Sequence, residues 1–214
     1  MLSLWHKTLF VHIPKCGGQS IENAFLNDIG LKFGEHRHLM LCLQKGKLFH
    51  GKPGPPKLAH LRARDYFEMD YISRELFDRL YRFSVVRNPF SRISSHWRYL
   101  FSDIDFREFV LERLPDLQQR QTWFYGTQYD FLHDEIGELL VEDALKLEDI
   151  DRGWPVVQNK ANIAHPLQHK NKSRSSTTAR WTEDMADAVR AYYAKDFEAF
   201  GYETATPRDR GRAA

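Results

Sequence analysis

Apolar side chains first gather at residues 8–13, a TLFVHI run rich in β-forming residues and closed by Pro14. A continuous apolar run of that length reads as a buried strand. Over residues 20–29 the period changes. Ile21, Ala24, Phe25 and Ile29 recur at helical spacing, and Gly30 stands where a helix C-cap is expected. Strand, glycine-bearing turn and helix, in that order, open an α/β unit. The theme returns later. Residues 73–80 read as a helix and residues 82–86 (RFSVV) as a second buried strand. Pro89 takes the first position of the next helix, where its missing N–H costs nothing. Ile93, Trp97 and Leu100 give that helix an apolar face, while Phe106, Phe109, Val110 and Leu114 mark another that Pro115 is expected to stop. Residues 118–125 and 149–157 read as helices, with a strand at 139–147 between them. Residues 182–197 form the clearest helix, with Met185, Val189, Tyr192 and Tyr193 near one face and both tyrosines read as core. Gly51, Pro53, Gly54, Pro55 and Pro56 make 46–57 a loop, and the polar stretch 164–179 reads the same way.

With 214 residues the chain suits one domain. Its 42% hydrophobic, 28% charged and 14% aromatic content excludes wholesale disorder, collagen and low-complexity fibre. No apolar run approaches the ~20 residues of a membrane-spanning helix, and no secretory signal is visible. Two cysteines, Cys16 and Cys42, are too few for a disulfide framework, so the expected setting is reducing and cytoplasmic. The fold expected is α/β: a three-layer, P-loop-like parallel sheet flanked by helices, one domain over 1–205 with a frayed tail at 206–214. The formal net charge is only +2, yet it is unevenly spread. Between Asp130 and Asp151 many carboxylates face Lys146 alone. From Arg152 to Arg180 there is no acid, against Arg152, Lys160, Lys170, Lys172, Arg174 and Arg180. The basic stretch is either a solvated surface or a face turned towards an anion.

Two segments carry chemistry. HIPKCGGQS, residues 12–20, lies between the first strand and its helix. Gly17 and Gly18 let the backbone approach a ligand, the helix adds the positive end of its dipole, Lys15 adds a charge and Ser20 a hydroxyl. Together they make a phosphate or sulfate cradle. The lysine precedes the glycines, unlike the G-x-x-x-x-G-K-[ST] nucleotide loop. SVVRNPFSRISSHW, residues 84–97, places Arg87 at the carboxyl end of the second strand, where open α/β sheets bind ligands. Ser95 follows about two turns inside the helix. Arg92 shares a face with it, so an arginine fork and a hydroxyl are expected to meet a second phosphate.

On these residues the chain resembles the sulfotransferases that use 3′-phosphoadenosine 5′-phosphosulfate, and is similar to the carbohydrate family that includes the chondroitin and heparan-sulfate uronosyl enzymes and bacterial relatives. That family's first loop reads H-I-P-K-T-G-G-T-S and its second V-R-N/D-P-x-x-R-x-x-S. Weaker similarity runs through LKLEDID, HKNKSRSS and VRAYYAKDFEAFGY, so it spans about residues 8–203. The resemblance implies that Lys15, Cys16, Gly17, Gly18, Gln19 and Ser20 grip the 5′-phosphosulfate and that Arg87 and Ser95 grip the 3′-phosphate. Lys172, Ser173 and Arg174, in the loop expected to fold over the nucleotide, are further phosphate candidates. Cys16 and Gln19 replace the family's two threonines and lose a β-hydroxyl each. Beside Lys15 and a helix N-terminus, the Cys16 thiol is expected to have a lowered pKa and to be an oxidation or alkylation target.

Sulfuryl transfer is an in-line displacement with charge building on the bridge oxygen, which Lys15 can stabilise without a metal. The acceptor hydroxyl needs a base. His60 matches a histidine that the resemblance implies has this role; His50 competes, and Glu22 is a carboxylate alternative. Paired histidines at His36 and His38 and at His165 and His169 lack accompanying Cys or carboxylate ligands, so no metal is expected. Trp123, Phe124 and Tyr125 either pack in the core or stack on a sugar or adenine. The expected partner is a carbohydrate or small hydroxylated acceptor. Three other readings stay open: a nucleotide-loop kinase, a nucleic-acid-binding module using residues 160–180, and a relative that binds nucleotide without turnover.

Overall fold

A computed structural model describes residues 1–36, 58–167 and 179–207. The expected loop at 46–57, Cys42, His38, His50, His169, Lys172, Ser173 and Arg174 lie outside the described residues. At the centre is a four-stranded sheet in the order β1 (Leu2–Ser3), β2 (Thr8–Val11), β3 (Tyr81–Val86) and β4 (Asp143–Lys146). The parallel registers run Phe10 to Phe83 and Val85 to Leu145. β1 is antiparallel to β2, pairing Leu2 with Leu9, so the sheet is mostly rather than wholly parallel. A two-residue strand carries no alternating pattern that a sequence could announce. β2 is buried throughout and β3 nearly so, as strands covered on both faces must be.

Each face of the sheet has its own cover. Phe10, Phe83 and Val85 meet Ile21, Ala24 and Phe25 of α1 (Gly18–Asp28). Leu9, Val11 and Val86 meet Phe77 of α2 (Arg74–Arg79), together with Tyr66. α2 starts where the Ser73 hydroxyl accepts the Leu76 N–H at 3.2 Å. α3 (Pro89–Leu100) starts at Asn88, whose side chain accepts the Ser91 N–H, with Pro89 in the first turn as expected. α4 (Gln128–Leu132) adds Phe131 and Leu132 to the second face, and α5 (Ile150–Ala161) adds Trp154 and Val157 to the first. Helices on both faces of one sheet make three layers. A third apolar cluster joins Phe90, Ile93 and Trp97 of α3 to Met185 and Val189 of α6 (Glu183–Tyr192) and Phe197 of α7 (Ala194–Ala199).

Several expected boundaries move. Pro115 does not stop its helix. The path from Phe106 passes through a π-helical stretch, Phe109–Arg113, and restarts as Leu114–Arg120, so Pro115 falls in a first turn that needs no N–H from it. The helix expected at 182–197 breaks at Tyr193, which is buried and anchored by its hydroxyl to the Tyr125 carbonyl at 2.7 Å. Tyr192 is not core but 38% exposed. Of the strand expected at 139–147 only Asp143–Lys146 pairs in the sheet, and Leu139 forms an isolated bridge with His133. Residues 118–125 divide between the end of Leu114–Arg120 and a short helix, Thr122–Tyr125. Thr206 accepts from Arg190 and donates to Glu183, both at 2.6 Å. Among the described residues no helix is long and apolar enough to cross a membrane.

Candidate active site

The first strand–helix junction is built around backbone geometry. Lys15 (φ 67°) and Gly17 (φ 80°) are both left-handed and curl the loop beneath α1. A left-handed lysine costs backbone energy that glycine avoids, which accounts for the residue at 17. No side chain caps α1 and its first turn carries no acid, so the positive end of the helix faces the loop mouth without a built-in counter-charge. The Ser20 N–H turns back to the Gly17 carbonyl at 3.0 Å. Gly18 is glycine for a further reason: a Cβ there would lie 2.1 Å from the His12 ring.

Lys15 extends its ammonium over the Tyr99 ring, 3.7 Å from the centroid. Burial, and then the Arg87 guanidinium, push its pKa from 10.5 to about 8, against a smaller opposing effect of Cys16. Cys16 corrects the sequence expectation. Its thiol is buried, shares its one S–H between Gln128 Oε1 at 3.3 Å and the Pro14 carbonyl at 3.6 Å, and is pushed up to about 12. Desolvation outweighs the nearby cations, so Cys16 is a neutral hydrogen-bond donor and not a reactive thiolate.

The second junction meets the first directly. The Arg87 guanidinium donates to the Lys15 carbonyl at 3.1 Å. Glu148 accepts the Asn88 N–H at 2.9 Å and the Tyr202 hydroxyl at 3.1 Å, which ties the loop after β3 to the segment after β4. Ser95 is half-buried on α3, one turn before Tyr99. Residues four apart share a helix face, so Ser95 lies on the side where the Lys15 ammonium rests. Arg92 does not join them. It is fully buried, and its guanidinium is spent on the carbonyls of Pro14 (3.1 Å), Gly126 (2.8 Å) and Phe124 (3.2 Å). The expected second-phosphate fork is therefore a staple that holds the Lys15 loop against Thr122–Tyr125.

His60 stands next to this site through His12. Its Nδ1 is 3.1 Å from the His12 carbonyl oxygen, and the two rings meet edge to face at 4.6 Å. A carbonyl only accepts, so Nδ1 carries the proton in this contact. Glu22 is buried and bonded to His12 Nδ1 at 2.8 Å, which turns the carboxylate alternative inward. Trp123 lies parallel to His60 with centroids 6.2 Å apart, and is only partly buried; Phe124 and Tyr125 are buried against His96. His96 is fully buried, with both ring nitrogens unbonded, and desolvation followed by the nearby Arg92 holds its pKa well below 6.5.

The structure thus gathers Lys15, Cys16, Gly17, Gly18, Gln19, Ser20 and Arg87 around one junction, with Ser95 half-buried one turn before Tyr99 on α3 and His60 reached through His12. Sequence reasoning missed Tyr99, Gln128, Glu148 and Asp196. Tyr99 had a signal in its i+4 spacing from Ser95, and Glu148 and Asp196 lie inside the LKLEDID and VRAYYAKDFEAFGY stretches, but Gln128 had none. Among the described residues no group of His, Cys, Asp and Glu is arranged to hold a metal ion.

A scan against protein-family models matches residues 3–203 to the sulfotransferase family. Searches of curated proteins and of solved structures return no match. Both junctions lie inside the matched span, and with nearly the whole chain covered the protein belongs to the sulfotransferase family, a transferase of the sulfotransferase class.

Proposed function

We propose that the protein, as one P-loop-like sulfotransferase domain over residues 1–205, transfers a sulfuryl group from 3′-phosphoadenosine 5′-phosphosulfate to a hydroxyl of a carbohydrate or glycoconjugate. The observation that carries this reading is the 3.1 Å contact between the Arg87 guanidinium and the Lys15 carbonyl. It brings two cation-bearing strand–helix junctions to one place, as a ligand with phosphates on the 3′ and 5′ positions of one ribose requires. The donor supplies an activated sulfur–oxygen bond. The first turn of α1, with the backbone of Cys16, Gly17, Gly18, Gln19 and Ser20, receives the 5′ end. Arg87 and Ser95 receive the 3′-phosphate, and Lys172, Ser173 and Arg174 are proposed to add contacts from outside the described residues.

Lys15 moves from the Tyr99 face to the bridge oxygen and neutralises charge as that bond breaks. The donor phosphates raise its proton affinity, which keeps it cationic when it is needed. His60 takes the acceptor proton at Nε2 as the acceptor oxygen bonds to sulfur. Its Nδ1–H to the His12 carbonyl fixes the tautomer that can do so. Trp123, parallel to His60 and partly exposed, offers the apolar platform that a sugar ring stacks on, which favours a carbohydrate acceptor. A cytoplasmic setting, where thiols stay reduced, suits the free buried Cys16.

The test is transfer of radiolabelled sulfuryl groups to a panel of hydroxylated glycans. Lys15→Ala is expected to lower turnover about 10²–10³-fold. Arg87→Ala is expected to raise KM for the donor with a smaller change in kcat. Near-normal turnover in Lys15→Ala overturns the assignment.

A further inference from the structure

We propose that Gln128 is a positioning residue that couples the two phosphate-binding junctions, so that filling one strengthens the other. The inference rests on the donor site proposed above. Gln128 is fully buried at the start of α4, and all four hydrogen-bonding positions of its side-chain amide are used. Oε1 accepts the Arg87 N–H at 2.8 Å and the Cys16 thiol at 3.3 Å. Nε2 donates to the Arg87 carbonyl at 2.8 Å and to Asp196 Oδ2 at 3.2 Å. Rotating the amide would set N–H against N–H, so its orientation is fixed.

The amide therefore grips both backbone groups of Arg87, as a neighbouring strand would, at the point where β3 has run out of neighbours. The same oxygen holds Cys16 of the other loop. Behind it, Asp196 accepts the N–H groups of Gln128 (3.0 Å) and Tyr129 (2.8 Å), which seats its carboxylate at the start of α4. The brace is thus itself anchored, and no ordinary packing contact has this connectivity. It touches no donor atom, so its effect must pass through Arg87 and Cys16. A brace of this kind predicts synergy between the two phosphates rather than affinity for either alone.

The experiment measures dissociation constants of adenosine 5′-phosphate and adenosine 3′,5′-bisphosphate by calorimetry. The ratio of the two reports what the 3′-phosphate adds beside a bound 5′-phosphate, adenosine 3′-phosphate measured against adenosine reports what it adds alone, and the first divided by the second is the coupling ratio followed below. In Gln128→Met, which keeps the side-chain length, the ratio should shrink roughly tenfold while the 5′-phosphate alone weakens much less. A merely structural role would weaken both ligands by the same factor and leave the ratio intact, which overturns the proposal. Should Gln128→Met fail to fold, Cys16→Val severs only the thiol arm; a reduced ratio supports the coupling and an unchanged one refutes it. Wild-type protein that binds neither nucleotide would sink the donor reading itself. Tight wild-type binding with unaltered ratios in the variants would sink the brace alone.

Discussion

Gly18→Ala isolates the local logic of the first junction. The added Cβ would stand 2.1 Å from His12 Cδ2 and Nε2 and 2.6 Å from Cε1, where ordinary contacts begin near 3.4 Å. The ring must retreat by more than an ångström, and it has little room. It is bonded to Glu22 at 2.8 Å, stacked on Phe10 at 5.6 Å and edge-on to His60 at 4.6 Å. Overpacking costs about 1–3 kcal/mol, and losing a hydrogen bond to a buried carboxylate costs about as much again. A net loss of roughly 3 kcal/mol lowers Tm by about 6–12 °C in a chain of this size. Thermal melts followed by circular dichroism read this directly. Gly17→Ala makes the control: its Cβ meets only the flexible tip of Leu147 at 2.8 Å, and its left-handed φ costs about 1–2 kcal/mol. The cost of Gly18→Ala should fall below about 1 kcal/mol in a His12→Ala background, because the clash partner is gone. A Tm within about 2 °C of wild type, or an undiminished cost without His12, would refute the steric account.

Other outcomes follow from the same geometry. Lys15 titrates at about 8 in the free protein, so its ammonium is lost as pH rises through that value. kcat/KM for the donor should therefore fall above about pH 8, with the limb in kcat displaced upward because bound phosphates favour the ammonium. Lys15→Arg should abolish that limb, and a flat profile to pH 9 in the wild type would contradict the assignment. Arg92→Leu strips the bond donor from three backbone carbonyls and should cost about 3–5 kcal/mol, read as a lowered urea midpoint; Arg92→Lys should not rescue it, since an ammonium lacks the fork. Cys16 should resist iodoacetamide at pH 8 in the native protein and react only on unfolding, as its thiol is buried and held near 12. Labelling of Cys16 at the rate of a free thiol would refute this.

What the sequence discloses and what it hides divide along physical lines. The apolar runs behind β2 and β3, and the glycine and proline punctuation of both junctions, are local signals, and they locate the strands and the helix starts well. Which side of a residue faces the ligand is not local. Arg92 and Ser95 are three apart in the same motif, yet one is consumed by backbone carbonyls and the other lies beside Tyr99. Cys16 sits among cations, which argued for a thiolate, but burial decides the matter and is invisible in sequence. Gln128 is 41 residues from Arg87 and 112 from Cys16 and carries no motif of its own. Pro115 reads as a helix stop because the π-helical stretch before it, which resets the hydrogen-bond count, has no sequence mark.

One ligand is proposed to span both junctions, and a thermal shift with adenosine 3′,5′-bisphosphate against magnesium–ATP tests this most directly. At a hundredfold excess over its dissociation constant the bisphosphate should add about 2.7 kcal/mol. That corresponds to a rise in Tm of about 5–11 °C, while magnesium–ATP leaves the melt in place. A protein that melts at the same temperature with saturating bisphosphate as without it, or that responds to magnesium–ATP instead, contradicts the central claim.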